Sequence, residues 1–553
     1  MGIVDEINKT RETLLTTPPA PPVDEAKKVK KSQSTQILEL IEMDAHSFFN
    51  SNDEGFVTIP KEDHFECWPI KSSGYRQILT NLFWLKKQNG CNKNSLAEAI
   101  ATVEARALFQ SKKEKVYMRV AAPPGENKLF VDLCDDAWQV IEITPEGWKI
   151  LNKSPVKFIR KSGMEALPAP EKGMEIHEIN RFINVCDEQL ILIISWILGC
   201  FRGKAAYPVL ILQGRQGSGK STASRMLRLL VDPNRVPLRA PPREPRDLVI
   251  SAINSHLLAL DNLSGMDHHL ADAICRFSTG AGFDPRALFT DLEQILVQVE
   301  RPVLINGIDD LATRPDLDER SIIITLPTIE KRMDETSLWA NFHAARPGLL
   351  GAIFSALSAA LKNEAETRER LKQQNRLPRM ADFAVWVSAA ENQMGWKPDQ
   401  FLNIYLASQL RSSAENIDSN AVVTSLLSHL SNLDENTPWT GEADDWKKLL
   451  LSWQFVLKKP DHLSKQPWQV SPTNLYETLT ARAGKKGFSK AWPQSTRGLK
   501  NALNRAAVDL AKFGVQFDSE RTGSQRFYKF EMNLEKAIDT LAPLFPQVEN
   551  WFN

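Results

Sequence analysis

The chain is 553 residues long, enough for about three to four domains, and its 42% hydrophobic and 25% charged residues are ordinary for a globular protein. Lys plus Arg (68) equals Asp plus Glu (68), so no global field draws it to nucleic acid and any DNA-binding surface is local. Six cysteines (67, 91, 134, 186, 200, 275) include no CxxC pair, which argues against zinc and suits a reducing cytosol. The N-terminus shows no basic-then-apolar leader. The most apolar stretch, residues 190–201, is too short to cross a bilayer. A cytoplasmic protein without a membrane partner is the expectation.

Residues 1–34 are polar, with Pro18, Pro19, Pro21 and Pro22 ahead of Lys27, Lys28, Lys30 and Lys31, and read as a disordered tail. Residues 35 to about 110 read as helical, from Ile37, Leu38, Leu40 and Ile41, then Ile78, Leu79, Leu82 and Leu85, then 96–108. From 115 to 161 the period drops to two, and five short strands are expected at 115–121, 128–134, 138–143, 148–151 and 156–160. Together 35–170 is expected to be one α+β domain.

Residues 171–330 carry the densest chemistry. A buried helix over 190–201 leads to a short apolar strand, 209–212. That strand runs into Gly214-Arg215-Gln216-Gly217-Ser218-Gly219-Lys220-Ser221, the GxxxxGK[ST] pattern, and a helix is expected from Thr222. Glycines let backbone N–H groups line an anion site, and the following helix points its positive end at it. Lys220 would reach the β- and γ-phosphates of ATP, and Ser221 would ligate Mg²⁺. Arg239, Arg243 and Arg246 sit in a proline-rich loop, facing phosphate, a neighbouring subunit or solvent.

A second apolar strand, 257–262, ends in Asp261-Asn262, which makes Asp261 the natural Mg²⁺-linked carboxylate. A third, 301–307, ends in Asn306, a polar side chain suited to sensing the γ-phosphate. Arg320 opens a fourth, 321–326, where ring ATPases carry an arginine that reaches a neighbour's γ-phosphate. An ion pair with Asp316 or Glu319 is the plainer role for it.

Residues 331–435 are expected to be helical, and 436–553 to form a C-terminal unit after a break at 436–441. Within 471–533 eleven Lys or Arg face five Asp or Glu, a local excess of six positive charges. Ser471 and Ser495 are expected N-caps of two helices. Leu499, Leu503, Ala506 and Leu510 would line the buried face of the second, leaving Arg497, Lys500 and Arg505 elsewhere on it. A hairpin over 515–518 and 526–530 carries Arg521 and Arg526 beside its Gly523-Ser524 turn. This order resembles a winged helix, which grips DNA with the second helix and the hairpin, although such folds also serve protein contacts.

The succession GRQGSGKS, LLALDN, PVLINGID and DLDERSIIITLP resembles the superfamily 3 helicase branch of AAA+ ATPases. STGAGFDPRALFTD resembles the stretch of that family where a helix passes into a β-hairpin. The chain is similar, more closely, to primase-less relatives of satellite-phage primase-helicases. The resemblance implies an α/β AAA+ core, ATP and Mg²⁺ as cofactors, a homo-hexamer around DNA, and a separate primase or other replication protein as partner. It places Gly214, Gly217, Ser218, Gly219, Lys220, Ser221 and Thr222 on the nucleotide, with Asp261, Asn262, Asn306 and Arg320 in catalysis.

Two departures stand out. The family's second carboxylate after Asp261 is replaced by Asn262, which cannot act as a base. The tip of the expected hairpin, Asp291-Leu292-Glu293, would repel phosphate, and leaves Arg286 at its base as the DNA contact. The expectation is an ATP-dependent DNA helicase or helicase-like replication protein of a mobile element. The alternative is a nucleotide-gated assembly or defence ATPase that separates no strands.

Overall fold

The computed structural model describes residues 31–203, 206–242, 244–266, 268–280, 299–308, 315–330, 333–430, 468–483, 492–522 and 525–541. Contacts divide the chain between Lys115 and Val116 into two compact units.

In the first unit come α1 (Gln33–Met43), β1 (Ser47–Ser51), β2 (Glu54–Pro60), β3 (Phe65–Pro69), α2 (Ser73–Lys87) and α3 (Lys93–Gln110). Ser32, Ser72 and Asn92 cap the three helices, each side chain accepting an N–H of the first turn. Ile37, Ile41, Val57, Ile59, Tyr75, Leu79 and Val103 form the core. The all-helical reading of 35–110 is corrected here, because an antiparallel sheet β1-β2-β3 spans 47–69. Its signal is Asn52-Asp53, with φ of 50° and 61°, which turns β1 straight into β2 with Ser51 opposite Glu54. Two consecutive positive-φ residues make the hairpin turn whose twist matches the strands.

The second unit opens with β4 (Val116–Tyr117), β5 (Val120–Ala121), β6 (Leu129–Asp132), β7 (Val140–Thr144), β8 (Gly147–Leu151) and β9 (Lys157–Phe158). Strands β5-β6-β7-β8 form an antiparallel sheet, and β4 pairs in parallel with β9. The period-two pattern anticipates this segment, except that Arg119, at φ 58°, breaks the first expected strand in two. Although 35–170 reads from sequence as one domain, these strands pack forward along the chain. Val120, Leu129, Val131, Ile141 and Ile143 share one core with Ile176, Ile191, Ile194 and Phe354.

A buried helix, α4 (Asp187–Cys200), leads to the central sheet. Its elements are β10 (Val209–Gln213), α5 (Lys220–Val231), α6 (Pro245–Ile253), β11 (Leu258–Leu263), α7 (His268–Thr279), β12 (Val303–Gly307), α8 (Pro315–Asp318) and β13 (Ser321–Thr325). The strand order is β11-β12-β10-β13, and every neighbouring pair is parallel. Both faces are buried, as a parallel sheet requires. Leu210, Leu212, Leu304, Ile322 and Ile324 pack with α4 and with Met226, Leu227 and Leu230 of α5. The alternate residues Val209, Ile211, Val303 and Ile305 pack with Leu248, Val249, Ile274 and Phe277 of α6 and α7.

Beyond the sheet lie α9 (Glu335–Gln373), α10 (Ala381–Ser388), α11 (Gln400–Ser419) and α12 (Ala421–Leu430). The 39-residue α9 is long and apolar enough to span a membrane by length and composition alone, but 72% of its most apolar window is buried inside the fold. The chain then gives β14 (Trp468–Val470), α13 (Pro472–Ala483), α14 (Thr496–Lys512), β15 (Val515–Thr522), β16 (Gln525–Met532) and α15 (Leu534–Leu541). These strands form an antiparallel sheet in the order β14-β16-β15. Leu479, Leu499, Leu503, Leu510, Tyr528 and Phe530 share a core with Ile417 and Val423 of α11 and α12.

Candidate functional site

The loop between β10 and α5 is shaped by three positive-φ glycines, Gly214 (148°), Gly217 (85°) and Gly219 (82°). At Gly214 a Cβ would stand 2.6 Å from the Leu326 carbonyl oxygen, so backbone and neighbouring chain close on each other only without a side chain. Gly219 caps α5, with its carbonyl accepting from Ala223 N at 2.9 Å. The N–H groups of the first helical turn are therefore left facing the loop's concavity, where the helix dipole is positive. Lys220 Nζ lies across the loop, donating to the carbonyls of Gly214 (2.7 Å) and Arg215 (2.9 Å). Partial burial lowers the Lys220 pKa, and the Asp261 carboxylate opposes that shift.

The ends of β11 and β12 meet this loop. Ser221 Oγ donates to Asp261 Oδ1 at 2.8 Å. Asn306 is almost fully buried, accepting from Asn262 N (2.9 Å) and donating to Ser224 Oγ (2.8 Å). A serine hydroxyl beside a carboxylate is a hard-oxygen pair of the kind that suits Mg²⁺. Asn262 is exposed and left-handed (φ 58°), at the point where the β11–β12 register slips between Leu260 and Leu263. The expected residues of this cluster thus converge, and Ser224 joins them. It lies four residues after Lys220, one turn along the same helix face, and that spacing was its sequence signal.

Arg320 does not join them within the chain. It precedes β13, whose Ser321 pairs with Val209 at the start of β10, whereas the glycine loop follows Gln213 at the other end. About 13 Å of strand separates the two edges. The Arg320 guanidinium donates to Asp316 Oδ1 at 3.1 Å. Arg379 also bonds Asp316 (2.7 Å) and Glu319, and Lys512 reaches Glu319 at 3.2 Å. Of the proline-rich loop, Arg239 donates to Ser251 Oγ at 2.8 Å, and its carbonyl accepts from Asp261 N. Arg243, Arg286 and the 291–293 tip lie outside the described residues.

A second feature is a hollow of about 710 Å³ in the C-terminal unit, lined by Thr496, Arg497, Lys500, Arg521, Arg526 and Tyr528 among others. Ser495 caps α14, accepting from Gly498 N at 3.1 Å, as its sequence predicts. Tyr528 Oη donates to the Thr496 carbonyl at 3.3 Å and seats the hairpin against the start of the helix. Four of the five expected cations therefore converge; exposed Arg505 lies beside them and does not line the hollow. Among the described residues no group of three or more His, Cys, Asp or Glu could hold a metal, and all six cysteines are unbridged.

Comparison with known proteins finds two family matches. Residues 176–408 match the family described as actinomycete integrative conjugative element replication protein, and residues 454–540 match the AICE RepA C-terminal domain. Over these two segments, which hold the glycine loop and the basic hollow, the chain is similar to that replication-protein family. No curated protein matches it. Among solved structures, one titled "SCCmec type IV Cch - active helicase" is 12% identical, with 88% of this chain and 92% of that chain covered at a TM-score of 0.42. Another, the A form apo structure of the NrS-1 C terminal region, is 9% identical, with 91% and 100% covered at a TM-score of 0.39.

Proposed function

We propose that this replication protein of a mobile element is an ATP-driven DNA motor, built as an AAA+ ATPase of the superfamily 3 type with a C-terminal winged helix. The observation that carries the reading is the junction of the glycine loop with the 2.8 Å Ser221–Asp261 pair, placed at the start of a helix and the ends of parallel strands. Gly214, Gly217, Ser218 and Gly219 would wrap the phosphates in backbone N–H groups, with Thr222 behind them. Lys220 would exchange its two loop carbonyls for β- and γ-phosphate oxygens. Ser221 and Asp261 would hold Mg²⁺, which when bound neutralises charge between the β- and γ-phosphates.

Asn306, fixed from both sides by Asn262 N–H and Ser224, is suited to orient a water or sense the γ-phosphate without moving. Asn262 offers an amide where a base is usual, so water activation would fall to another carboxylate, or hydrolysis would be slow. Arg320 would serve the site of a neighbouring subunit in a ring, the expected hexamer. DNA would be held at Arg497, Lys500, Arg505, Arg521 and Arg526, with Arg286 the expected contact in the ring's pore.

Hydrolysis measured with and without DNA tests this reading. DNA-stimulated, Mg²⁺-dependent ATP hydrolysis is expected for the wild type, with at least a hundredfold loss in Lys220→Ala at unchanged melting temperature. Turnover that survives in Lys220→Ala would remove the assignment.

A further inference from the structure

The hollow at the start of α14 holds more than positive charge. Asn501 and Asn504 line it together with Arg497 and Lys500. These four positions, at i, i+3, i+4 and i+7, form one stripe, half-buried at Lys500 and exposed at the other three, on a helix whose opposite face, Leu499, Leu503 and Leu510, is fully buried. Across the hollow Arg521 and Arg526 face each other directly on β15 and β16. Like charges at opposed positions destabilise a hairpin unless a polyanion lies between or beside them. Among the described residues none of these four cations has a carboxylate within salt-bridge distance. Lys529 on the other face of the same hairpin, by contrast, is paired with Glu520 (3.5 Å) and Glu531 (2.9 Å). Acidic residues are thus kept to the face away from the hollow.

We infer that this surface reads the sequence of duplex DNA, with Asn501 and Asn504 contacting base edges while Arg497, Lys500, Arg521 and Arg526 hold the flanking phosphates. The inference rests on the DNA-handling reading above and adds to it a specific double-stranded target. Carboxamides are the side chains that match adenine's N6–N7 edge in the major groove, which is wide enough to admit one helix. A stripe with cations at i and i+3 and amides at i+4 and i+7 fits a helix lying in that groove, with a hairpin reaching the backbone beside it. Single-stranded binding would call for exposed aromatic platforms on which unpaired bases stack. The aromatic of the hollow, Tyr528, is only 2% exposed and is engaged with Thr496.

The experiment is a selection with the full-length protein from a pool of duplexes carrying a randomised centre, run in parallel with the matching single-stranded pool. A recurrent sequence is expected from the duplex pool, and tighter binding to duplex than to single strand of equal length. Asn501→Ala/Asn504→Ala is expected to bind a scrambled duplex as the wild type does, yet to lose about 10- to 100-fold of its preference for the selected sequence. Arg497→Ala/Arg526→Ala should weaken binding to both sequences and lower the salt slope by about 0.9 for each phosphate that is no longer neutralised. Unchanged melting temperatures show that these exposed substitutions leave the fold intact. No enriched sequence, a preference for the single strand, or an unaltered preference in the double Asn variant would each overturn the inference. Wild type that binds duplex without sequence preference defeats this inference alone, whereas wild type that binds no DNA at low salt defeats the broader reading as well.

Discussion

Asp232 takes two guanidinium groups out of water. Its Oδ1 accepts from Arg119 Nε at 3.0 Å, its Oδ2 lies 3.2 Å from Arg228, and all three side chains are buried. Oδ2 also accepts from the backbone N–H groups of His256 and Leu257, while the His256 ring bonds the Cys200 carbonyl at 2.9 Å. This network ties the end of α5 to the residues just before β11 and to the β4–β5 break. Burial pushes the Asp232 carboxyl up, but Arg228 and Arg119 outweigh it and hold the pKa at about 2. Burial pushes His256 down to about 4. Asp232→Asn is expected to cost about 3–5 kcal/mol, because it strands two buried cations, and denaturant unfolding would measure it.

The pH dependence of that network has a definite sign. A histidine whose folded pKa lies below its ordinary 6.5 costs stability as it protonates, so melting temperature should fall as pH drops from about 6.5 towards 4. The Asp232 contribution is full above 3.8 and is lost as pH falls towards 2. His256→Gln, which keeps a donor for Cys200, should flatten the upper part of this decline. Little of this was legible in the sequence. Arg119 and Asp232 are 113 residues apart, and a buried charge shows itself only through the partner that tertiary structure supplies. Lys220, Ser221 and Asp261 were legible, because their spacing follows from a local strand–loop–helix and a strand end.

Helix α14 spans two tasks. Its first turns line the basic hollow, and its last residue, Lys512, bonds Glu319 (3.2 Å) and Ser413 (2.8 Å). Glu319 adjoins Arg320, and the preceding Asp318 accepts from Ser412 and from Asn416 (3.1 Å) of α11. A rigid helix thus runs from the proposed DNA surface to the turn that carries Arg320. Lys512→Ala is expected to bind duplex as the wild type does while losing most of the DNA-dependent increase in ATP hydrolysis; an unchanged increase would show that α14 transmits nothing. The strands of the central sheet were readable as short apolar runs because both faces are buried. The sheet β1-β2-β3 was missed because its turn is Asn52-Asp53 without glycine or proline, between segments of helical periodicity. Pro347 did not end a helix as its chemistry suggests; α9 runs through it, and the Pro347 carbonyl accepts from Glu171 N at 2.9 Å.

The glycine loop and Arg320 lie at opposite ends of the strands of one parallel sheet. In the proposed ring, the Arg320 end of one subunit would meet the glycine-loop end of its neighbour. Arg320→Ala is expected to keep ATP binding but lose hydrolysis, and mixing it with Lys220→Ala should restore part of the activity, since some interfaces then combine intact halves. Full-rate hydrolysis by a monomer would exclude such a shared site.

If hydrolysis at the glycine loop drives strand separation, as proposed, a labelled strand is displaced from forked duplex. Displacement is expected from the wild type with ATP and Mg²⁺, and none from Lys220→Ala or without nucleotide. ATP hydrolysis by the wild type with no displacement from any fork polarity would contradict it, and would leave a nucleotide-gated assembly in place of a motor.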